Sequence, residues 1–500
     1  MDLLWINSET VVNVNDLNER VKNSNANIIC LAVSKVWQHF STQAITDQLT
    51  YFDAIHAGLA VGGEKLFEEL SAVSLNWNFL SPDKNTDNYS WKASEHFFVF
   101  KKDVFDKIGC FNNVFSLTAS IAEFSYRILR NGGLVKYSSD FCEILSGCSQ
   151  LKTSCDDVIK FAAIHLSTAH ARLIQFYFLL KLKIVFPSLR NFRLKENSVN
   201  LNGIILDTPI RSVSQYTAII PTILRYDYIG KCIESLLKQD YPPKEIIVVD
   251  QTPDGLRQPN CYEPYIQQGL MRVFYLDEPG QCTARNVAIA EAKTEWLLFF
   301  EDDTEAWPGM MRAHKYLMEH SLADVSTGVS LAPWKDESYI PDRNRKYQLS
   351  DVLATGNSFM KKQTALAVNG LHPAFDKGPG ADDDFGRRLF LNGKLIVLNH
   401  KAIQTHHKAS VGGMRVHGAW WRISSSSIIG AFPPVTQTFV IRNYYPAKFR
   451  LFHLIVFFIQ AKKTINFFQY LMMLFLAPLK VYKSLKGSSE LIRKFTPECT

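Results

Sequence analysis

Four short apolar runs stand out between residues 216 and 301: "YTAIIP" from Tyr216, "EIIVVD" at 245–250, "MRVFYL" at 271–276 and "WLLFFE" at 296–301. They are continuous rather than alternating, which is the pattern of strands buried on both faces of a parallel sheet. Between them, "YIGKCIESLLKQ" (228–239) carries apolar residues at helical spacing, and a second helix is expected from about Cys282 to Ala292. Strands that alternate with helices predict a doubly wound α/β domain with a mostly parallel sheet. Further along, the glycine-rich "DKGPGADDDFG" reads as a loop running into an amphipathic helix that begins near Asp384. The chain also opens on "LLWINSETVV", Leu3 to Val12, where an apolar strand-like run passes straight into polar residues.

The residues that end these runs carry the candidate chemistry. In open α/β sheets, ligands bind beyond the carboxyl ends of the strands. Asp250 ends one strand, and Glu301, Asp302 and Asp303 end another. A carboxylate after the second strand can hydrogen-bond a base or a ribose. A Glu-Asp-Asp cluster can hold a hard divalent cation through oxygen ligands, and that cation can bridge a diphosphate. An acidic trio is often only a solvated turn, but directly after "WLLFF" the burial of the strand fixes where the carboxylates point. The acids of "GADDDFG" are explained in part by helix capping alone. "THH" (405–407) closes another strand-like stretch, and "GGMR" follows it.

These residues carry a family resemblance. "AIIPTILRYDYIGKCIESLLKQDYPPKEIIVVDQTPDG" resembles the amino-terminal motif of the family 2 glycosyltransferases, which have the GT-A fold. "EPGQCTARNVAIAEAKTEWLLFFEDDTEAWPG" resembles that family's Ala-Arg-Asn helix followed by its metal-binding Asp-x-Asp motif. The resemblance implies Thr222 and Asp250 near the donor nucleotide, Arg285 near its diphosphate, and Glu301, Asp302 and Asp303 around Mg2+ or Mn2+. Asp303 would be the direct ligand. Two departures follow: Gln251 stands where the family has a second acid, which leaves the base open with a UDP-sugar as the default, and Glu301 is a longer arm than Asp. Aligning Asp384-Phe385-Gly386 on the family's acidic helix start places the catalytic base on Asp382, with Asp383 as the alternative and Ala381 in place of the preceding Glu. His406 or His407 would help hold metal or diphosphate, with a structural or merely exposed role equally open. Arg415, beside a glycine pair, would close over phosphate. The implied reaction is a single inverting displacement, in which a carboxylate takes the acceptor proton and a metal stabilises the leaving diphosphate.

The chain also compares with itself. Laying residues 97–137 on 357–399 places Gly109, Phe124, Arg127, Asn131, Gly132 and Leu134 opposite Gly370, Phe385, Arg388, Asn392, Gly393 and Leu395. That register sets Ile121 and Ala122 against Asp382 and Asp383, and only Glu123, opposite Asp384, keeps its acid. Leu145 and Ser146 fall against His406 and His407. Laying "LLWINSETVV" on "LLFFEDDTEA" sets Asn7, Ser8 and Glu9 against the acidic trio. Residues 1–150 therefore read as a partial, non-catalytic copy without the nucleotide-binding strands; chance similarity between two α/β segments is the alternative.

Composition bounds the rest. At 500 residues, 47% hydrophobic and 21% charged, the chain is a packed globular protein of two or three domains. The net charge of +7 is mild, but from Arg442 onward there are ten Lys and Arg against Glu490 and Glu498. That excess points to a polyanion or a membrane surface, and no nucleic-acid partner is expected. "LFHLIVFFIQ" (451–460) and "INFFQYLMMLFLAPL" (465–479) each fall short of the ~20 apolar residues a spanning helix needs. Their mixture of aromatic, apolar and basic residues fits helices lying in a membrane interface, as does 172–195; core helices of a helical subdomain are the alternative. Nine scattered cysteines without a Cys-x-x-Cys pair fit reduced thiols, and no secretory leader is visible.

The expected division is a degenerate module (1–150), a helical connector (151–212), a catalytic GT-A domain (213–432) and a membrane-associating helical segment (433–500). The expected function is transfer of a sugar from a nucleotide-sugar to a saccharide or lipid-linked acceptor in bacterial surface polysaccharide synthesis. The site would be the cytoplasmic face of the membrane, with a homo-oligomer left open. Two rivals stand beside it. A sugar-phosphate nucleotidyltransferase would want a glycine-rich loop after its first strand, and "PTILRYD" (221–227) has none. A non-catalytic saccharide-binding scaffold would not need Asp250, Arg285, Asp303 and Asp382 together.

Overall fold

The computed structural model describes residues 204–335, 347–350, 352–413, 430–444 and 466–495 continuously, with short strands and single positions elsewhere. The chain forms two compact units: Met1–Leu206 with Tyr347–Leu349, and Asp207–Lys346 with Ser350–Thr500.

In the first unit five strands are described: β1 (Leu3–Ile6), β2 (Ile28–Leu31), β3 (Asn88–Ser90), β4 (Phe97–Phe100) and β5 (Val135–Ser138). They form one sheet in the order β1-β4-β2-β5-β3. β4 runs antiparallel to β1 and β2, whereas β2 and β5 are parallel. In the same unit, Phe124 and Ile128 are fully buried. Arg127 grips both carboxylate oxygens of Glu123 at 2.8 and 3.0 Å and donates to the Ile108 carbonyl at 2.6 Å. Next to that carbonyl, Gly109 takes φ +83°, a conformation that costs a side chain but not glycine.

The second unit begins with β6 (Tyr216–Thr222), α1 (Tyr226–Leu237), β7 (Glu245–Asp250), β8 (Met271–Tyr275), α2 (Gln281–Glu291) and β9 (Trp296–Phe300). β10 (Thr304–Ala306), α3 (Met310–Glu319), β11 (Val325–Leu331), β12 (Asn357–Lys361), α4 (Ala381–Leu391) and β13 (Ile396–His406) follow. Its sheet runs β8-β7-β6-β9-β12-β11-β13-β10. β6 to β9 are mutually parallel, and every residue of β9 is buried, as a strand covered on both faces requires. β12 enters antiparallel between β9 and β11, so this is a mixed sheet rather than a purely parallel one.

Two irregularities aim residues at the site. Pairing of β6 with β9 stops at Ile219, although β6 continues along β7 to Thr222. Pro221 therefore lies where β6 has a neighbour on one side only, which is where a strand tolerates a missing N–H. The parting of β6 from β9 opens the crevice expected where strand order reverses. On the other side, β13 pairs with β11 through Leu398, then loops out and resumes at Ile403. Asn357 fills that bulge, donating to the Ala402 and Val329 carbonyls. Its Oδ1 must then accept from His314 Nε2, and His314 Nδ1 accepts from Ser326. Burial holds His314 neutral, with its pKa depressed to about 4. Gly328 makes room for this plug, since a Cβ there would lie 2.3 Å from the Ala402 oxygen.

Three further helices complete the unit: α5 (Val435–Tyr444), α6 (Phe467–Phe475) and α7 (Ala477–Phe495). α5 packs along α7 through serine and threonine, with Thr438 Oγ1 and Ser484 Oγ 2.6 Å apart. Gly487 permits that approach, because a Cβ would meet Val435 at 2.8 Å. Among the described residues Cys232, Cys261 and Cys282 are free thiols, and no helix is long and apolar enough to cross a membrane.

Candidate active site

A cleft of 1010 Å³ opens at the carboxyl ends of β6 and β9, bounded by α4 and the end of β13. Its floor is the turn Glu301-Asp302-Asp303 between β9 and β10. β10 pairs with the end of β13, setting Thr304 opposite His406, so sheet pairing itself carries a histidine to the acidic turn. One ligand atom each from Glu301, Asp303 and His406 lies within 4.8 Å of the others.

The three acids are not equivalent. Asp302 faces inward: its Oδ2 accepts from Thr222 at 2.8 Å and its Oδ1 from Arg225 at 2.7 Å. Burial pushes its pKa up to about 6, partly offset by Arg225. Asp303 accepts from the Ala409 amide through Oδ2, and its buried Oδ1 receives no aligned hydrogen bond. That oxygen lies 3.0 Å from Arg225 and 3.4 Å from His406. Burial alone would raise the Asp303 pKa, but His406 and the Arg225 charge bring it down to about 2. An unsatisfied buried carboxylate oxygen beside an imidazole and a second carboxylate is a donor set that fits Mg2+ or Mn2+.

Across the cleft, Asp382 stands in the first turn of α4. The helix starts at Ala381, three residues earlier than expected, because Gly380 at φ +103° turns the chain into it. Thr355 Oγ1 donates to Asp382 at 2.5 Å, yet burial dominates and lifts its pKa to about 6. Asp383 also lines the cleft. Asp384 turns away, accepting from Arg388 at 2.8 Å and from the Tyr444 hydroxyl at 2.6 Å, which ties α4 to α5. α5, beyond residue 432, also sends Gln437 into the cleft.

The other residues singled out from the sequence divide. Arg285 lines the cleft 3.4 Å from Glu301, with its buried Nε lacking a partner. Asp250 is fully buried and does not line it. Its carboxylate is taken up by the Tyr226 and Tyr262 hydroxyls at 2.7 and 3.0 Å and by the Thr252 amide at 2.9 Å. Gln251 lines the cleft instead, its Oε1 fixed by the Gly280 amide at 2.6 Å. His407 pairs with Glu305 at 2.6 Å and stays outside the triad. Arg415, like Asn7 to Glu9 and the positions opposite Asp382, Asp383 and the two histidines, lies outside the described residues.

Two groups drew no notice in the sequence. Arg225 reaches the acidic turn from the start of α1, flanked by Gly412 and Gly413, both at positive φ, where a Cβ would collide with it. Leu224, just before it, holds φ +54°, strained for a branched side chain, with its amide bound to Thr252 Oγ1. Asp376 caps α2 from a distance, accepting from the amides of Cys282 and Thr283 at 2.8 Å. The helix bearing Arg285 is thereby clamped to the loop that leads into Asp382.

Residues 217–369 match the sequence profile of glycosyl transferase family 2. The similarity to that family covers this stretch of the chain. A putative teichuronic acid biosynthesis glycosyltransferase of Bacillus subtilis is 30% identical over 118 residues, spanning 23% of the chain and 46% of that protein. Glycosyltransferase GlyG of Streptococcus pneumoniae is 26% identical over 113 residues, 22% of the chain and 38% of that protein. The chain thus spans less than half the length of either relative. Among solved structures, GalNAc-T7 crystallised with UDP, GalNAc and Mn2+ aligns with a TM-score of 0.36 and 12% identity over 46% of the chain and 48% of its own. The family 2 domain contains β6 to β12; the Asp382 helix and His406 lie just past the matched residues.

Proposed function

We propose that this chain is a metal-dependent, inverting glycosyltransferase that moves a sugar from a nucleotide-sugar, by default a UDP-sugar, to a saccharide or lipid-linked saccharide. The pathway would be synthesis of a bacterial surface polysaccharide, at the cytoplasmic face of the membrane. The observation that carries the reading is the opposition, across one cleft of a family 2 domain, of the Glu301–Asp303–His406 triad and Asp382.

The residues divide the work. Glu301, Asp303 and His406 hold Mg2+ or Mn2+, which when bound supplies positive charge against the leaving diphosphate. Arg285, with an unpaired Nε in the cleft, binds diphosphate oxygens from the other side. Gln251 and Thr222 lie at the nucleotide end, and Asp250 acts at one remove, by ordering Tyr226, Tyr262 and the turn that presents Gln251. Asp382 accepts the proton of the acceptor hydroxyl as its oxygen attacks the anomeric carbon. A carboxylate with a pKa of about 6 is mostly ionised at neutral pH yet more basic than an ordinary aspartate, which suits that task. Residues 1–150 are read as a partial copy of the acceptor half, retained for packing, acceptor binding or self-association.

The test is to screen nucleotide-sugars with the full chain by thermal shift, with Mn2+ and with EDTA, and then follow transfer from the best binder. Stabilisation by one nucleotide-sugar only when Mn2+ is present is expected. Equal stabilisation in EDTA sinks the metal-dependent reading, and binding without release of nucleotide on acceptor addition sinks the catalytic one.

A further inference from the structure

The carboxyl-terminal helices carry an unusual surface. α6 is secured at its start by a capping box between Asn466 and Gln469, and at its middle by Met473, which packs with Phe432 and Phe458. Most of its other apolar side chains face outward: Phe468 is 78% exposed and Phe475 80%. The exposed row continues onto α7 as Leu479, Tyr482 and Leu485, three residues apart and therefore on one face. Soluble proteins rarely leave such a contiguous apolar row uncovered.

The same face of α7 then becomes cationic. Tyr482 and Leu485 line one end of a groove of 530 Å³ between α5 and α7; Lys486, Arg493 and Arg442 line the rest. Arg442 is held in place by Ser488 Oγ and Ser489 Oγ at 2.9 and 2.6 Å, so its charge is fixed at the groove wall. The exposed cations of α7, Lys483, Lys486, Arg493 and Lys494, are set against a single acid, Glu490, while Lys480 is buried and donates to the Gly430 carbonyl. An apolar row grading into exposed cations on α7, with Arg442 of α5 fixed beside them, matches a surface that is itself apolar inside and anionic at its boundary.

We propose that α6 and α7 form a docking surface for an anionic lipid bilayer: Phe467, Phe468 and Phe475 enter the acyl boundary, and the Arg442–Lys486–Arg493 groove takes a lipid phosphate. This deepens the membrane placement proposed above, and flotation reads it without turnover, so its failure leaves the transfer reaction standing. The site also bears on the acceptor. α5 forms one wall of the groove with Thr438 and Arg442, while its neighbouring Gln437 lines the catalytic cleft. A lipid-linked acceptor anchored at the groove would therefore reach Asp382 across one helix.

The experiment is co-flotation of the full chain with vesicles of phosphatidylcholine alone and of phosphatidylcholine with 30 mol% phosphatidylglycerol. Wild type is expected to float with the anionic vesicles at least about tenfold better than with the neutral ones, and less so as salt rises. Phe468→Ser with Phe475→Ser should remove flotation with both vesicles. Lys486→Glu with Arg493→Glu should remove the anionic preference, by about tenfold or more. All four positions lie on the surface, and unchanged melting temperatures confirm that the variants fold. Flotation that is indifferent to both variants, or equal on the two vesicles, overturns the proposal. So does displacement from the vesicles by 10 mM inorganic phosphate, which would make the groove a site for free phosphate. A wild-type dimer in light scattering that becomes monomeric in the Phe468→Ser, Phe475→Ser variant would give the apolar row to a second copy of the chain instead.

Discussion

The sheet of the first unit and the part of the second unit's sheet from β9 to β13 are laid out alike, and what they share is scaffold. β1-β4-β2-β5 repeats the order and the pairing senses of β9-β12-β11-β13. In register, Ile28 pairs with Val135 where Val325 pairs with Ile396. Each unit carries the same device: a carboxylate four residues before an arginine, with the arginine reaching back to a carbonyl at or near a positive-φ glycine. In one unit these are Glu123, Arg127 and Gly109; in the other Asp384, Arg388 and Gly370. The Asn131 and Asn392 amides then close the helix on the carbonyls of those arginines. What differs is the acids: Ile121 and Ala122 stand opposite Asp382 and Asp383, and Asn7, Ser8 and Glu9 opposite the acidic turn. If those acids serve the proposed reaction, the clamp and the buried Phe124 or Phe385 are what folding alone requires.

The sharpest way to break this comparison is at Asp382. Asp382→Asn removes the base and is expected to lower kcat by about 10²–10⁴-fold, with donor binding retained in a titration calorimeter. Its pKa of about 6 sets the pH profile: kcat/KM should rise through about pH 6 as the carboxylate loses its proton. Stability runs the other way. A carboxylate raised in the folded state holds its proton between the unfolded value of 3.8 and about 6, so the stability it contributes at low pH is lost as pH rises through that window. Asp382→Asn should therefore leave the protein at least as stable at pH 7, by roughly 1 kcal/mol after allowing for its opening to the cleft. A variant that is both active and destabilised would make Asp382 part of the scaffold.

The clamp should show the reverse behaviour. Asp384→Ala strands a half-buried guanidinium and cuts the tie to Tyr444, so a loss of about 3 kcal/mol in chemical denaturation is expected. Glu123→Ala in the first unit should lose a similar amount with turnover per folded molecule unchanged. If Glu123→Ala leaves unfolding untouched, the two clamps are alike in geometry only.

Much of this was legible in the sequence, and the reasons are physical. Continuous apolar runs such as "WLLFF" and "EIIVVD" announce strands buried on both faces, and an acid just past such a strand has only one place to point. The place of Asp382 in the cleft was legible only through the resemblance of Asp384-Phe385-Gly386 to a family motif. The inward turn of Asp250 was not, because the tyrosines that absorb its carboxylate come from 24 residues before it and 12 after. His406 and His407 could not be separated either. The choice depends on strand pairing, which sets Thr304 opposite His406 and leaves His407 for Glu305. The bulge that aims β13 rests on Asn357, His314 and Gly328, residues from separate elements whose pattern means nothing until they meet.

Arg225 belongs to the part of the second unit built on β6 to β8, for which the first unit shows no described counterpart, and it offers a finer test. Its guanidinium lies 2.7 Å from Asp302 and 3.0 Å from Asp303, and so would compete with a divalent cation held by the second carboxylate. Arg225→Met should tighten Mn2+ binding about tenfold, measured by titration against free Mn2+ in EPR, because an opposing positive charge is removed. The metal-free protein should melt earlier, since Asp302 and Asp303 then repel each other. Unchanged or weaker Mn2+ binding would instead place Arg225 among the groups that the bound metal depends on.

The smallest expected effect tests where strain resides. Leu224 holds φ +54° only because its amide is bound to Thr252 Oγ1 and its neighbour Ile223 accepts from the Gly413 amide. Strain of this kind persists where surrounding contacts over-determine it, and here it delivers Arg225 to the acidic turn. Leu224→Asn accepts the left-handed conformation more readily and should raise stability by roughly 0.5–1 kcal/mol in thermal unfolding. Leu224→Gly relieves the same strain but frees the unfolded chain, so its net change should be near zero. Neither should raise turnover, because the conformation itself is preserved. If both substitutions destabilise, the half-buried leucine side chain outweighs the backbone, and the delivery of Arg225 rests on side-chain packing.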